Sequence, residues 1–229
     1  MTFRTLRAAA VLALLAVATA AHAEAKYSIK EAKTEPPKEL KPAIAKLLDD
    51  GAVQLLDAKG ALICEVWFRK EVPAKATPEQ IKNGITMREI PETTVLGALR
   101  VHKTMIDYRK QKIKAGVYTL RLGYQPSDGD HMGTAPNNEF CLPVPAADDK
   151  DSELMKPKAL QEASTKATGG SHPGVFLLFP PKAKAPAAPG LEKDDMNDWI
   201  LTRAVEVKAG DAKAKIGLML TLVGVSTAA

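Results

Sequence analysis

Between Val117 and Tyr124 the chain alternates with period two: Tyr118, Leu120, Leu122 and Tyr124 are interleaved with Thr119, Arg121 and Gly123. Successive side chains of an extended strand point to opposite faces, so this stretch reads as a strand with one apolar face. Similar segments recur. Ala52–Leu56 and Ala61–Phe68 flank a turn at Asp57-Ala58-Lys59-Gly60 and predict a hairpin. In its second strand Leu62, Cys64, Val66 and Phe68 form the expected core face, and Ile63, Glu65, Trp67 and Arg69 the other. Further strands are predicted over 85–90, 93–102, 139–144 and 175–179, with a weaker, basic edge strand over 108–113. Two more are predicted over 199–207 and 215–225, the last buried on both faces.

Helical signals are few and short. Pro42 opens one turn ending near Gly51. Thr77-Pro78-Glu79-Gln80 has the form of a capping box with proline at the first helical position, and Pro157 starts a segment that runs to Gly169-Gly170. Long helices alternating with strands are absent from the pattern, which argues against a parallel α/β sheet. The expected fold is mainly β, an antiparallel β-sandwich of about nine strands with two or three short helices in its connections.

The N-terminus predicts export. Arg4 and Arg7 precede an apolar run from Ala8 to Ala18, and Ala21-His22-Ala23 supplies small residues at −3 and −1 of a cleavage point after Ala23. The run is too short to span a bilayer, which needs roughly 20 residues. The expected organisation is a signal peptide over 1–23, a flexible polar arm over 24–38 and one domain over 39–229. The location is periplasmic or secreted, with no transmembrane anchor in the mature chain. Losing Arg4 and Arg7 lowers the formal charge from +5 to +3. The remaining lysines are interspersed with acids and aromatic residues are only 5% of the chain. That composition argues against a nucleic-acid partner.

Export permits a disulfide between Cys64 and Cys141, and two buried thiols are the alternative. Neither cysteine belongs to a CxxC pair. Candidate site residues lie in two glycine-flanked loops, Asp128-Gly129-Asp130-His131-Met132-Gly133 and Gly169-Gly170-Ser171-His172-Pro173-Gly174. If the loops meet, His131, His172, Asp128, Asp130 and Met132 (or Met105) offer imidazole, carboxylate and thioether to copper or another divalent ion. The alternative is that Asp128–Gly133 is a turn closed by its own aspartates. No histidine follows Cys141 closely, which excludes a blue-copper pattern, and Met132 spoils an EF-hand-like spacing. No GxSxG elbow is present. The acids at Asp148, Asp149 and Asp151 read as a solvated loop, and Trp67 and Trp199 as packed side chains rather than a sugar platform.

The stretch Ala115-Gly116-Val117-Tyr118-Thr119-Leu120, continuing to Asp128–Gly133, resembles a passage of uncharacterised exported bacterial β-sandwich-like proteins. That resemblance implies export and a β fold and transfers no functional residue. The sequence reading is therefore of an exported, non-enzymatic binding or accessory module whose partner is a ligand or an envelope protein. A metal-binding protein and a hydrolase of an envelope or extracellular substrate are the alternatives.

Overall fold

The computed structural model describes residues 27–126, 129, 133–182 and 184–227, so the segment expected to direct export lies outside the described residues. Within the arm expected to be flexible, Ser28–Ala32 forms β1, paired antiparallel with β2 (Ala52–Leu56). Its residues carry no apolar run; the backbone ladder, the packing of Ile29 against the main core and an ion pair from Glu31 to Arg203 at 2.5 Å hold it. Pro42–Ala45 forms α1, a single turn.

Asp57 builds the hairpin turn by accepting the N–H groups of Lys59 and Ala61, and β3 (Leu62–Phe68) leads on into β4 (Glu71–Pro73). In α2 (Pro78–Asn83) the capping box forms as expected: the Gln80 N–H donates to Thr77 Oγ1 and the Thr77 N–H to Gln80 Oε1. The strand expected over 85–90 is instead a 3-10 turn at Met87–Glu89. Thr86 and Glu89 make a second capping box there, a local bonding pattern that outcompetes the extended form.

β5 (Val95–Val101) is followed by a hairpin of β6 (Met105–Ile106) and β7 (Lys112–Ile113). The expected strand over 108–113 thus shrinks to two residues, because Asp107 folds the segment into a turn. Its carboxylate accepts the N–H groups of Arg109, Gln111 and Val175 and the Gln111 side-chain amide. The alternating segment is β8 (Gly116–Tyr124), which pairs with β9 (Glu139–Pro145). Next come α3 (Pro157–Thr168), β10 (Phe176–Lys182), β11 (Gly190–Lys193), β12 (Trp199–Ala209) and β13 (Ala212–Val223).

Ten strands lie in the order β1-β2-β3-β5-β8-β9-β10-β13-β12-β11, and β4 joins β12 off this path. All these pairs are antiparallel except β4 with β12, which is parallel. The expectation of a purely antiparallel architecture is therefore corrected: the fold is mainly β, and its large curled sheet is mixed. β10 makes the curl by pairing with β9 through Phe176–Leu177 and with β13 from Leu178 onward. β4 carries the end of β3 across to β12. Short strands such as β4, β6 and β7 have too few residues to display a period, so the expected count of nine was low.

The main core lies within the curl. Leu55, Cys64, Val66, Leu99, Leu120 and Leu122 pack in one cluster with Leu201, Val207, Leu218, Leu220 and Leu222. The outer face has separate covers. Leu40, Ile44 and Leu48 shield Trp67, Val95 and Ala98 on one side. α3 lays Leu160 over Leu142, Val144 and Leu177 on the other. Trp67 is wholly buried there and its indole N–H donates to the Thr34 carbonyl at 2.8 Å, which ties the N-terminal segment to β3. No helix among the described residues is long and apolar enough to cross a membrane.

Candidate functional site

Asp128, Asp130, His131 and Met132 lie outside the described residues. His172 is exposed in the loop after α3, where its carbonyl accepts the Thr168 hydroxyl. The two loops that carry these residues are linked through a third. Gln111 Nε2 donates to the Pro173 carbonyl, and Tyr108 N–H donates to that of Val175. Ser226 then bonds Tyr108 through its N–H and the Thr134 carbonyl through its hydroxyl. The loop after α3, the β6–β7 hairpin, the C-terminal tail and the exit of the 125–138 loop therefore share one end of the sheet. Among the described residues no group of three or more His, Cys, Asp or Glu side chains could hold a metal ion. Met105, the other thioether considered, is buried in the main core.

The acidic loop after β9 differs from expectation at one residue. Asp149 is 1% exposed and receives Nε and Nη2 of Arg121, each at 2.8 Å, together with the Thr119 hydroxyl. Arg121 itself is fully buried. Its remaining N–H groups reach the carbonyls of Thr93, Asp151 and Glu153. The pair is thus a fastener that closes the 146–156 loop over the outer face of β8. Cys64 and Cys141 are unbridged, buried thiols, and burial pushes both far above the ordinary thiol range. Trp67 is unavailable as a sugar platform, and Trp199 is half-buried with its ring edge-on to Tyr27 at 5.3 Å.

The most organised polar group lies elsewhere, on the outer face of β2, β3, β5 and β8. Register places Gln54 opposite Glu65, Glu65 opposite Arg100 and Arg100 opposite Val117, so these four side chains form one row. His102, two residues beyond Arg100, points to the same face and meets Glu65 diagonally. Glu65 is 4% exposed. Its Oε1 accepts the Gln54 amide at 2.9 Å and its Oε2 holds His102 Nε2 at 2.8 Å. His102 Nδ1 has no partner among the described residues and its ring is about one-third exposed. Arg100 makes an ion pair with Glu39 at 2.9 Å.

A cleft of about 480 Å³ opens beside this row. Glu39, Arg100 and His102 give it a polar rim, and Val117, Pro145 and Ala146 an apolar floor. It lies between the two covers of the outer face: Glu39 at the start of the 39–48 segment lines one side, and Ala146 and Ala147 at the start of the 146–156 loop line the other. A buried carboxylate bonded to one ring nitrogen fixes the imidazole's orientation and presents the other nitrogen outward. The arrangement can therefore bind a hydrogen-bonding group at His102, an anionic group at Arg100 and a short apolar body on the floor.

Sequence reading placed Glu65 on the outer face and ended a predicted strand at residue 102, but did not bring Glu65 and His102 together. The available signal was a glutamate inside an apolar strand, which requires a partner when buried. Which partner it finds depends on the pairing of β3 with β5, a long-range fact absent from local pattern. Comparisons with family models, with characterised proteins and with solved structures returned no match.

Proposed function

We propose that the protein is an exported binding module of the cell envelope that acts through the Arg100–His102 cleft rather than as an enzyme. The observation that carries this reading is the Gln54–Glu65–His102 chain, which fixes an outward-facing imidazole at the rim of an open cleft. Burying a carboxylate to orient a partly exposed ring is costly for surface decoration and useful for recognition. The ligand class that fits is a small molecule or peptide segment with a short apolar body and a carboxylate or similar acceptor, which takes Arg100 from Glu39. Export is supported by the tripartite N-terminal signal, and a sandwich-like reading of the curled sheet by the packing of its two halves across one core.

The test is site-specific photocrosslinking in the producing cell, with a photoreactive residue in place of Val117. The mature chain is expected in the envelope fraction, beginning at Glu24, with an adduct that disappears in the Arg100→Ala/His102→Ala double variant. An uncleaved chain in the cytosol, or an adduct indifferent to that double substitution, would overturn the reading.

A further inference from the structure

Asp198 immediately precedes β12 and is 1% exposed, yet neither of its carboxylate oxygens has a hydrogen-bond partner among the described residues. The backbone around it is well ordered by bonds that leave the side chain out. Asp194 Oδ1 accepts the N–H groups of Met196 and Asp198, and the Asp194 N–H donates to the Asp198 carbonyl. The Asp198 carboxylate packs over Gly224, just past the end of β13, where a Cβ would collide with it. A buried carboxylate needs a proton, a cationic side chain or a metal ion. No lysine, arginine or histidine among the described residues pairs with it. A second carboxylate, Asp194, instead adds repulsion, and burial first, then the charges of Asp198 and Asp194, push up the Tyr108 hydroxyl.

We infer that Asp198, with Asp194, holds a hard divalent cation, calcium by preference, between the 194–198 turn and the chain leaving β13. The side-chain donors at hand are oxygens: the orphaned Asp198 carboxylate and that of Asp194, which lies close enough to repel it. Oxygen-only sets suit calcium and magnesium rather than copper or zinc. Calcium tolerates the irregular geometry of a turn facing a strand end, whereas magnesium demands an octahedron. Two carboxylates and the rest carbonyl and water make a modest site. It differs in residues and in ion from the histidine-loop site expected from sequence and is independent of the Arg100–His102 cleft. Binding there would join the 194–198 turn to the tail that Ser226 fastens to Tyr108 and to the Thr134 carbonyl.

Terbium, which replaces calcium and luminesces when a nearby aromatic ring is excited, gives the test, because Trp199 adjoins Asp198. The full chain stripped with a chelator is titrated with terbium and then with calcium. The expected result is saturable luminescence, displaced by calcium more readily than by magnesium. Affinity should fall at least tenfold in Asp198→Asn and measurably in Asp194→Asn, whose more exposed site keeps the fold testable should the first variant unfold. Absence of saturable luminescence in the unsubstituted protein overturns the inference. So does equal affinity in both variants, which would mean an adventitious ion only.

Discussion

Arg121 is the residue whose removal should cost most. It is the alternating strand's one charged side chain, it is fully buried, and each of its donors has an acceptor. Breaking such a pair from one side strands the other charge, at about 3–5 kcal/mol. Arg121→Met is expected to lose that much in urea unfolding, and Arg121→Met/Asp149→Leu to recover most of it, since both charges then leave together. Asp198 sets the pH response. Burial, then repulsion from Asp194, raises its carboxyl to about 6, so the folded state favours the protonated form. With no metal present, that contribution is complete below the unfolded value near 4 and is lost as pH rises through about 6. In chelator, stability should fall by on the order of 2–3 kcal/mol across that window. Asp198→Asn, monitored by thermal unfolding at pH 4 and pH 8, should flatten the dependence.

At the scale of elements, local chemistry was legible and long-range pairing was not. The α2 capping box, the start of α3 at Pro157 and the β8 alternation each follow from a few neighbouring residues, and each appears where expected. The failures share a cause. The 3-10 turn at Met87–Glu89 and the Asp107 turn arise where side chains bond the backbone against an apolar or extended pattern. β1 is recruited by the open edge of β2 rather than by its own composition. β4 is a three-residue strand whose parallel partner is more than a hundred residues away. Val72, 1% exposed in that strand, packs where β4 carries the sheet over to β12. Val72→Ala is expected to cost on the order of 1–3 kcal/mol by lost burial and a residual cavity, read from the denaturation midpoint. A change no larger than that of an exposed substitution would mean that the β4 contact contributes nothing to closure.

At the scale of the whole molecule, the sheet's two faces divide the work. The inner face holds the main core and needs no special side chains. The outer face is covered in pieces, by the 39–48 segment, by the loop that Arg121 fastens and by α3, and the cleft is what those pieces leave open. Of the candidate ligands expected from sequence, only His172 and Met105 are among the described residues: His172 is exposed in the loop after α3 and Met105 is buried in the main core, and neither lines the cleft. The cleft was illegible beforehand because Glu65, Arg100 and His102 become neighbours only through strand register. On this account the cleft is preformed, part of the same cooperative unit as the core. Trp67 reports directly on its flank, since it lies under the 39–48 segment and bonds Thr34. The decisive measurement is therefore urea unfolding of a Trp199→Phe variant, followed by Trp67 fluorescence and by far-ultraviolet circular dichroism. Coincident single transitions are predicted; a Trp67 transition at lower urea than the loss of strand signal would contradict a preformed cleft.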